Sequence, residues 1–506
     1  MPKVTFVTQS TRDADNIASA PERLVNLYPV PAPDGARTAL NLRSVLGRVL
    51  FSSLGGVFLR QIATVNDRLY AVGRGALWRI NSKGIANELA EIDDTGPVSF
   101  SGNGADVTIS SGGNYYVLRD NIIQSPGDGA FVSVGSIGFL DQYTLLTQRG
   151  GNKWEWTALA NAVDRDALNF GTCEADNDNV LRVMTYGPYV FLFNERTIEI
   201  WYNTGEGDEN AFRRLGGGVI DVGLLAPELV AKHSGGLFFV GDDRVAYLTS
   251  GTGVTPISHP GLERAMEVRD PTHCFYYEDR GHKFCCIRFE HRPAWCYDIT
   301  TGFWHERSSG VDHGPWEVIS TAQAYGKWFS ATEHGGIFAM ERTNADSKTP
   351  LRRTAISRPF YQDGERFRVQ MLEILGKFGA ESIPRFKSAY LSTVGSIGAY
   401  SDGYDEGHYI DRDGDPELIY AQEVEAPIAL MASGFYDEPP QIMLRISKDG
   451  GVTWGLEKWR TIGNDGERRA RAVYRGLGQF RNMAIEVNMT DPVDVTLYSD
   501  CNVVVA

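Results

Sequence analysis

The feature that most constrains this chain is a rhythm of hairpins. Between residues 59 and 340 one design returns seven times: an alternating apolar strand, a turn of Gly, Asn or Asp, and a second strand ending in an aromatic. The copies are ATVNDRLYAVGRGALWRI (63–80), GADVTISSGGNYYVL (104–118), GSIGFLDQYTLLTQRGGNKWEWTAL (135–159), NVLRVMTYGPYVFLFNERTIEIWY (179–202), GGLFFVGDDRVAYLT (235–249), KFCCIRFEHRPAWCYDITTGFWHERSS (283–309) and ISTAQAYGKWFSATEHGGIFAM (319–340). Period-2 alternation punctuated by turn residues marks half-buried antiparallel hairpins. A hairpin module returning every roughly 40 residues, without identity between copies, reads as a β-propeller, whose blades bury their faces only against neighbouring blades. An array of β-sandwiches is the competing reading.

The flanking segments differ. Residues 1–45 are polar and contain proline, and read as an extended arm over the surface. The propeller is expected over residues 46–345. From residue 346 the pattern changes, and a second, sandwich-like β-domain is expected over 346–506, with an acidic insert at about 398–420 as an exposed loop. The fold class is therefore all-β: an irregular β-propeller with an extended N-terminal arm and a C-terminal β-domain. Length agrees, since 506 residues exceed one ordinary core, and 55 glycines with 11% aromatics suit a turn-rich β-protein.

Charge and cysteine usage exclude several functions. A net charge of −15 argues against a basic groove that grips nucleic acid by neutralising phosphates. Cys173, Cys274, Cys285, Cys286, Cys296 and Cys501 are few and irregularly spaced, and read as reduced thiols of a protein made in a cytosol. The N-terminus lacks an apolar signal region, and no apolar run is long enough to span a bilayer, so no membrane insertion is expected.

The candidate chemistry is thin. SKDGGVTW, residues 447–454, fits the Asp-box pattern carried by Ser447, Asp449, Gly451, Thr453 and Trp454. In sialidases these residues serve hairpin geometry, while catalysis needs an arginine cluster, a tyrosine nucleophile and acids that no second motif here accompanies. A structural hairpin is therefore expected. His273, Cys274, His282, Cys285, Cys286 and Cys296 resemble a zinc set in composition, but not in spacing: adjacent Cys285 and Cys286 on a strand point to opposite faces. The acidic run Asp411, Asp413, Asp415, Glu417 lacks the correctly placed glycine and the twelfth-position ligand of a calcium loop. No phosphate-binding loop, dinucleotide fingerprint or nucleophile elbow is present. The basic stretch 460–481 reads as a strand pair with charges on its wet face. No catalytic, metal or cofactor residue is assigned.

Several phrases together resemble one family, the tail-hub or nozzle proteins of short-tailed bacteriophages, also called packaged-DNA stabilisation proteins. ERLVNLYPV (22–30) is similar to that family's opening arm. RTIEIWYNTGEGDENAFRRLGGGVIDVGLLAP (196–227) resembles its most recognisable block, carried here by Glu199, Trp201, Tyr202, Thr204, Gly205, Phe212 and Arg214, with Arg213 directly after Phe212. GGLFFVGDDRVAYL, RISKDGGVTWG and the run from DGERRARAV to the C-terminus are similar to its later blade and closing domain. The acidic insert has no counterpart in the pattern. The resemblance implies a non-enzymatic part of the virion tail, made in the host cytoplasm. It also implies a homo-oligomer, a six-membered ring, that continues the DNA channel below the portal and tail adaptor and has passing contact with genomic DNA. Tailspikes or tail fibres would sit outside, and a needle or plug protein would close the ring. The alternative reading is a glycan-binding or glycan-cleaving propeller using Trp154, Trp156, Trp201, Trp304 and Trp316 as sugar platforms; a trimeric adhesin is a third.

Overall fold

The computed structural model describes residues 3–5, 7, 22–124, 126–343, 345–347, 349–361, 365–378, 407–410, 416–419, 440–462, 471–491 and 493–505. These residues form seven four-stranded antiparallel blades. Blades 1 to 5 are separate sheets spanning 59–91, 99–124, 134–172, 180–220 and 230–256. Blade 6 spans 273–307 and continues into a larger sheet, and blade 7 takes three strands from 318–341.

The tight turns explain why the hairpins were visible. Asn66–Asp67, Asp120–Asn121 and Asp141–Gln142 each place two successive residues at positive φ, between 48° and 71°. That backbone matches strand twist in a two-residue hairpin and is tolerated best by Asn and Asp.

Blades meet through their faces. Phe191, Phe193, Ile198 and Ile200 of blade 4 pack with Leu237, Phe238 and Phe239 of blade 5, all fully buried. Ile62 and Leu69 of blade 1 share a cluster with Ile319 and Phe329 of blade 7, so the ring closes on itself. The Ser320 hydroxyl accepts the Ile62 amide at 2.9 Å across that seam.

The closing strand comes from far away in sequence. Gly47–Ser53 pairs antiparallel with Gly336–Glu341 as the fourth strand of blade 7. Beside it Asp346 and Arg48, both buried, form a bidentate ion pair, with the second contact at 2.8 Å.

The remaining strands build a sandwich from both ends of the chain. One sheet contains Lys3–Thr5, Leu27–Pro31 and Leu40–Ser44 with Phe367–Phe378, Arg471–Phe480, Val495–Tyr498 and Asp500–Val505. The other contains Arg23–Val25, Arg353–Ile356, Asn482–Met489, Gln441–Ser447 and Lys458–Thr461, and joins blade 6 through the parallel pair Val25 and Glu306. Leu24, Leu27, Leu42, Val369, Leu372, Ile442, Ile485 and Val495 form the core between them. Within residues 1–45, expected as an extended surface arm, Arg23–Val25, Leu27–Pro31 and Leu40–Ser44 are thus strands whose leucines are buried in this core. The polar segment 8–21 lies outside the described residues.

Two further sequence expectations change. The basic stretch does not form one strand pair: Lys458–Thr461 and Arg471–Phe480 belong to different sheets. Cys286 and Cys296, expected as thiols, oppose each other in register on neighbouring strands of blade 6, with Cα atoms 4.1 Å apart, and are joined as a disulfide. Cys173, Cys274, Cys285 and Cys501 are free and buried. The acidic insert lies outside the described residues except for the backbone hairpin Gly407–Ile410 with Pro416–Ile419. Among the described residues no helix is long and apolar enough to cross a membrane.

Candidate functional site

The Asp-box is a turn closed on itself. Ser447 ends its strand and donates its hydroxyl to Asp449 Oδ1 at 2.6 Å, while accepting the Gly451 amide at 2.7 Å. Asp449 accepts the Val452 and Thr453 amides at 3.1 and 2.9 Å and the Thr453 hydroxyl at 2.5 Å. Bonds from Ser447 and Thr453 hold its carboxyl well below the usual carboxylate range. Gly450 and Gly451, at φ 78° and 106°, take backbone that an L side chain resists. Trp454 lies under the Arg445 guanidinium, 6.0 Å from its ring centre. The returning strand begins only at Lys458, so Thr453 and Trp454 belong to the turn. Both carboxylate oxygens of Asp449 are engaged locally, and the motif sits in the sandwich.

The second block locks blade 3 to blade 4. Glu199, fully buried on the third strand of blade 4, accepts the Glu174 and Ala175 amides at 2.8 Å each and the Trp201 ring N–H at 3.0 Å. Its carboxylate thus fastens the chain linking the two blades. Arg214 approaches the same carboxylate at 3.5 Å from the outer strand. Trp201 and Phe212 pack edge-on against Trp154 with ring centres 5.2 and 5.4 Å apart, and Phe212 also meets Tyr143 and Trp156. Tyr202 pairs with Arg213 across the strands. Thr204 donates its hydroxyl to the Asn210 carbonyl at 2.6 Å, and Gly205 turns at φ 74°. The Trp156 ring N–H donates to the Asp208 carbonyl at 2.7 Å, completing the lock.

The tryptophans proposed as sugar platforms are consumed in packing. Trp154, Trp156, Trp304 and Trp316 are at most 3% exposed, and Trp201 is half-buried against Trp154. Trp316 lies 4.0 Å beneath the Arg307 guanidinium. Buried faces offer no surface to a glycan. The zinc-like set is dispersed as well. Cys285 and Cys286 enter different core clusters on opposite faces of their strand, and His282 bonds Asp298 at 2.7 Å. Among the described residues no group of His, Cys, Asp and Glu is arranged to hold a metal ion.

A buried polar seam between propeller and sandwich went unnoticed in the sequence. Asn26, fully buried at φ 58°, turns the chain from one sandwich sheet to the other. Its amide donates to Ser308 Oγ at 2.9 Å and the Arg352 carbonyl at 2.8 Å, and its carbonyl accepts the Ser308 amide at 3.0 Å. Arg23 forks onto Glu306 at 2.7 and 2.5 Å. Arg307 donates to the Tyr277 hydroxyl at 2.9 Å and the Leu46 carbonyl at 2.5 Å. Arg353, fully enclosed, donates to the Val493 and Asp491 carbonyls, and burial pushes its pKa down to about 10. The only local signal was the dipeptide Val-Asn ahead of Leu27, which is too common to stand out.

Comparison with known families decides what this assembly is. The family model described as bacteriophage P22 Gp10, beta-propeller, matches residues 7–342, more than half of the chain. The chain belongs to the bacteriophage P22 Gp10 family. A second model, bacteriophage P22 Gp10, beta-sandwich, matches residues 421–505. Gp10-type proteins are structural components of a short phage tail, so this chain is a structural tail protein with a place among other tail proteins of the virion. None of the curated proteins matches the chain. Among solved structures, the computationally designed Ika8 protein is 12% identical over 63% of this chain and 99% of its own, with a TM-score of 0.38. BamB from Moraxella catarrhalis is 9% identical over 67% and 98%, with a TM-score of 0.36. The WD40 propeller domain of Doa1 is 11% identical over 58% and 97%, with a TM-score of 0.38. The Gp10 match, not these likenesses, settles membership.

Proposed function

We propose that this protein is the tail hub or nozzle: a ring, six-membered by family likeness, that extends the DNA channel below the portal and adaptor, helps retain packaged DNA and anchors spikes or fibres. The observation that carries this reading is the match of both domains, propeller and sandwich, to one structural tail family. Two features support a mechanical part rather than an enzyme. The motif carboxylates Asp449 and Glu199 are held by turn and blade hydrogen bonds, and the chain carries a net charge of −15. Acidic walls repel phosphates, so DNA slides past without being gripped, and its retention falls to a needle or plug below.

The test is assembly. Negative-stain microscopy of the purified chain mixed with the tail adaptor of the same virus is expected to give a six-fold ring with a central hole. Particles assembled without this protein are expected to lose their DNA. Monomers that ignore the adaptor, or particles that keep their genomes without the protein, would overturn the reading.

A further inference from the structure

The chain is strongly acidic, yet one end of the propeller axis is built around guanidinium groups. A cavity of about 250 Å3 opens where the inner strands begin, with walls from blades 1, 2, 4, 5, 6 and 7. Arg182, on the inner strand of blade 4, donates Nη1 to the carbonyl of Val98, just ahead of blade 2, at 3.1 Å. That is its one hydrogen bond among the described residues, and its Nε is buried with no partner. No carboxylate lies within ion-pair distance of it among the described residues, and burial lowers its pKa. A guanidinium carries five N–H donors in a planar fork, and a desolvated one is costly unless they are met.

The surroundings favour a negative guest. Arg60 lines the same cavity from blade 1, held by the Ser111 hydroxyl and the Asp93 carbonyl, with Nε and Nη1 buried and unpartnered. Two carboxylates also line it, Glu228 and Glu333. Glu333 is already committed to Arg288 at 2.7 Å; Glu228 acts on Arg182, while Asp93 and Asp94, which do not line the cavity, act on Arg60. His273 contributes no charge: burial and the neighbouring Arg288 pull its pKa down to about 4.

We propose that this axial cavity binds one small inorganic oxyanion, of phosphate or sulfate type. Its oxygens would meet the guanidinium groups of Arg60 and Arg182 that line the cavity. The guest is a free ion and not a phosphate of the genome, because a cavity of about 250 Å3 cannot admit a duplex. Bound there, the ion ties the inner strands of facing blades together through Arg182 and fixes the axis.

The proposal is tested on the full-length protein with inorganic phosphate as the probe. Equilibrium dialysis against radiolabelled phosphate is expected to retain about one ion per chain, displaced by sulfate and not by chloride. Thermal unfolding is expected to show a saturable rise in Tm of about 2–5 °C with phosphate at constant ionic strength. Arg182→Met and Arg60→Met, which keep the apolar stems, should abolish retention and saturation. Glu228→Gln, which removes the opposing charge, should lower the half-saturating phosphate concentration at least threefold. No retained phosphate, a Tm that climbs linearly and equally in wild type and Arg182→Met, or a Glu228→Gln protein that binds phosphate no better would each overturn the site. If Arg182→Met fails to fold, wild-type dialysis and Glu228→Gln decide.

Discussion

Single residues in this protein act mainly as fasteners. Asn26 is the clearest case, since one amide joins the two sheets of the sandwich and blade 6 while its backbone sits at φ 58°. Asn26→Ala leaves the Ser308 amide and the Arg352 carbonyl without their partner and gives up the tolerance that Asn has for a left-handed backbone. A loss of about 3 kcal/mol is expected in urea unfolding; a loss below about 1 kcal/mol would show that Asn26 is a bystander. Glu199→Ala removes the buried acceptor of the Glu174 and Ala175 amides and of the Trp201 ring N–H, and is expected to cost about 2 kcal/mol. Glu199→Gln, which keeps one oxygen in place, should recover part of this. Asp449 was legible from sequence because its partners, Ser447 to Thr453, lie within a few residues. Asn26 was not, because its partners are 282 and 326 residues away.

At the scale of elements the same contrast holds. Each blade hairpin announces itself by alternation and a turn, both local properties. The strand Gly47–Ser53 has an ordinary alternating pattern, and nothing in it points to Gly336–Glu341 as its partner. The same holds for residues 23–44, whose polar and proline-containing context suggested an arm while their buried leucines serve a core completed at the C-terminus. Deleting residues 1–45 is therefore expected to expose the sandwich core: limited proteolysis should digest residues 440–505 at least tenfold faster than in the intact chain. Unchanged protection would mean that the C-terminal strands fold alone.

Histidines join elements too, and they make a pH prediction. Burial holds His305 and His313 near pKa 3 and His233 near 4, with Arg307 and Arg23 lowering the first two further. A histidine whose folded pKa lies below its unfolded value of about 6.5 binds fewer protons when folded, so stability is present above that pH and is lost as the pH falls. Tm is expected to drop by about 5 °C or more between pH 7 and pH 4.5, with the fall beginning near pH 6.5, above the range where ordinary carboxylates titrate. A flat profile over that interval would contradict the buried, neutral state of these rings.

For the whole molecule, the propeller is an insertion within the sandwich. The chain starts in the sandwich, supplies the closing strand of blade 7, runs through all the blades and returns to finish where it began. Mutations that loosen the seam, such as Arg307→Met, are expected to lower the unfolding temperature of both domains together in calorimetry. Two separated transitions in wild type would show instead that the domains hold independently.

The closing strand has a consequence in time. A ribosome makes Gly47–Ser53 early and its partner Gly336–Glu341 almost 300 residues later, while the sandwich waits for the final strand at Asp500–Val505. Such distant pairings make folding slow and leave the growing chain with an open ring and an uncovered core. No truncated product can therefore pass for a finished one. Synthesis itself acts as a gate: a chain has a closed ring and a covered core to offer a growing virion only after its last strand has been made.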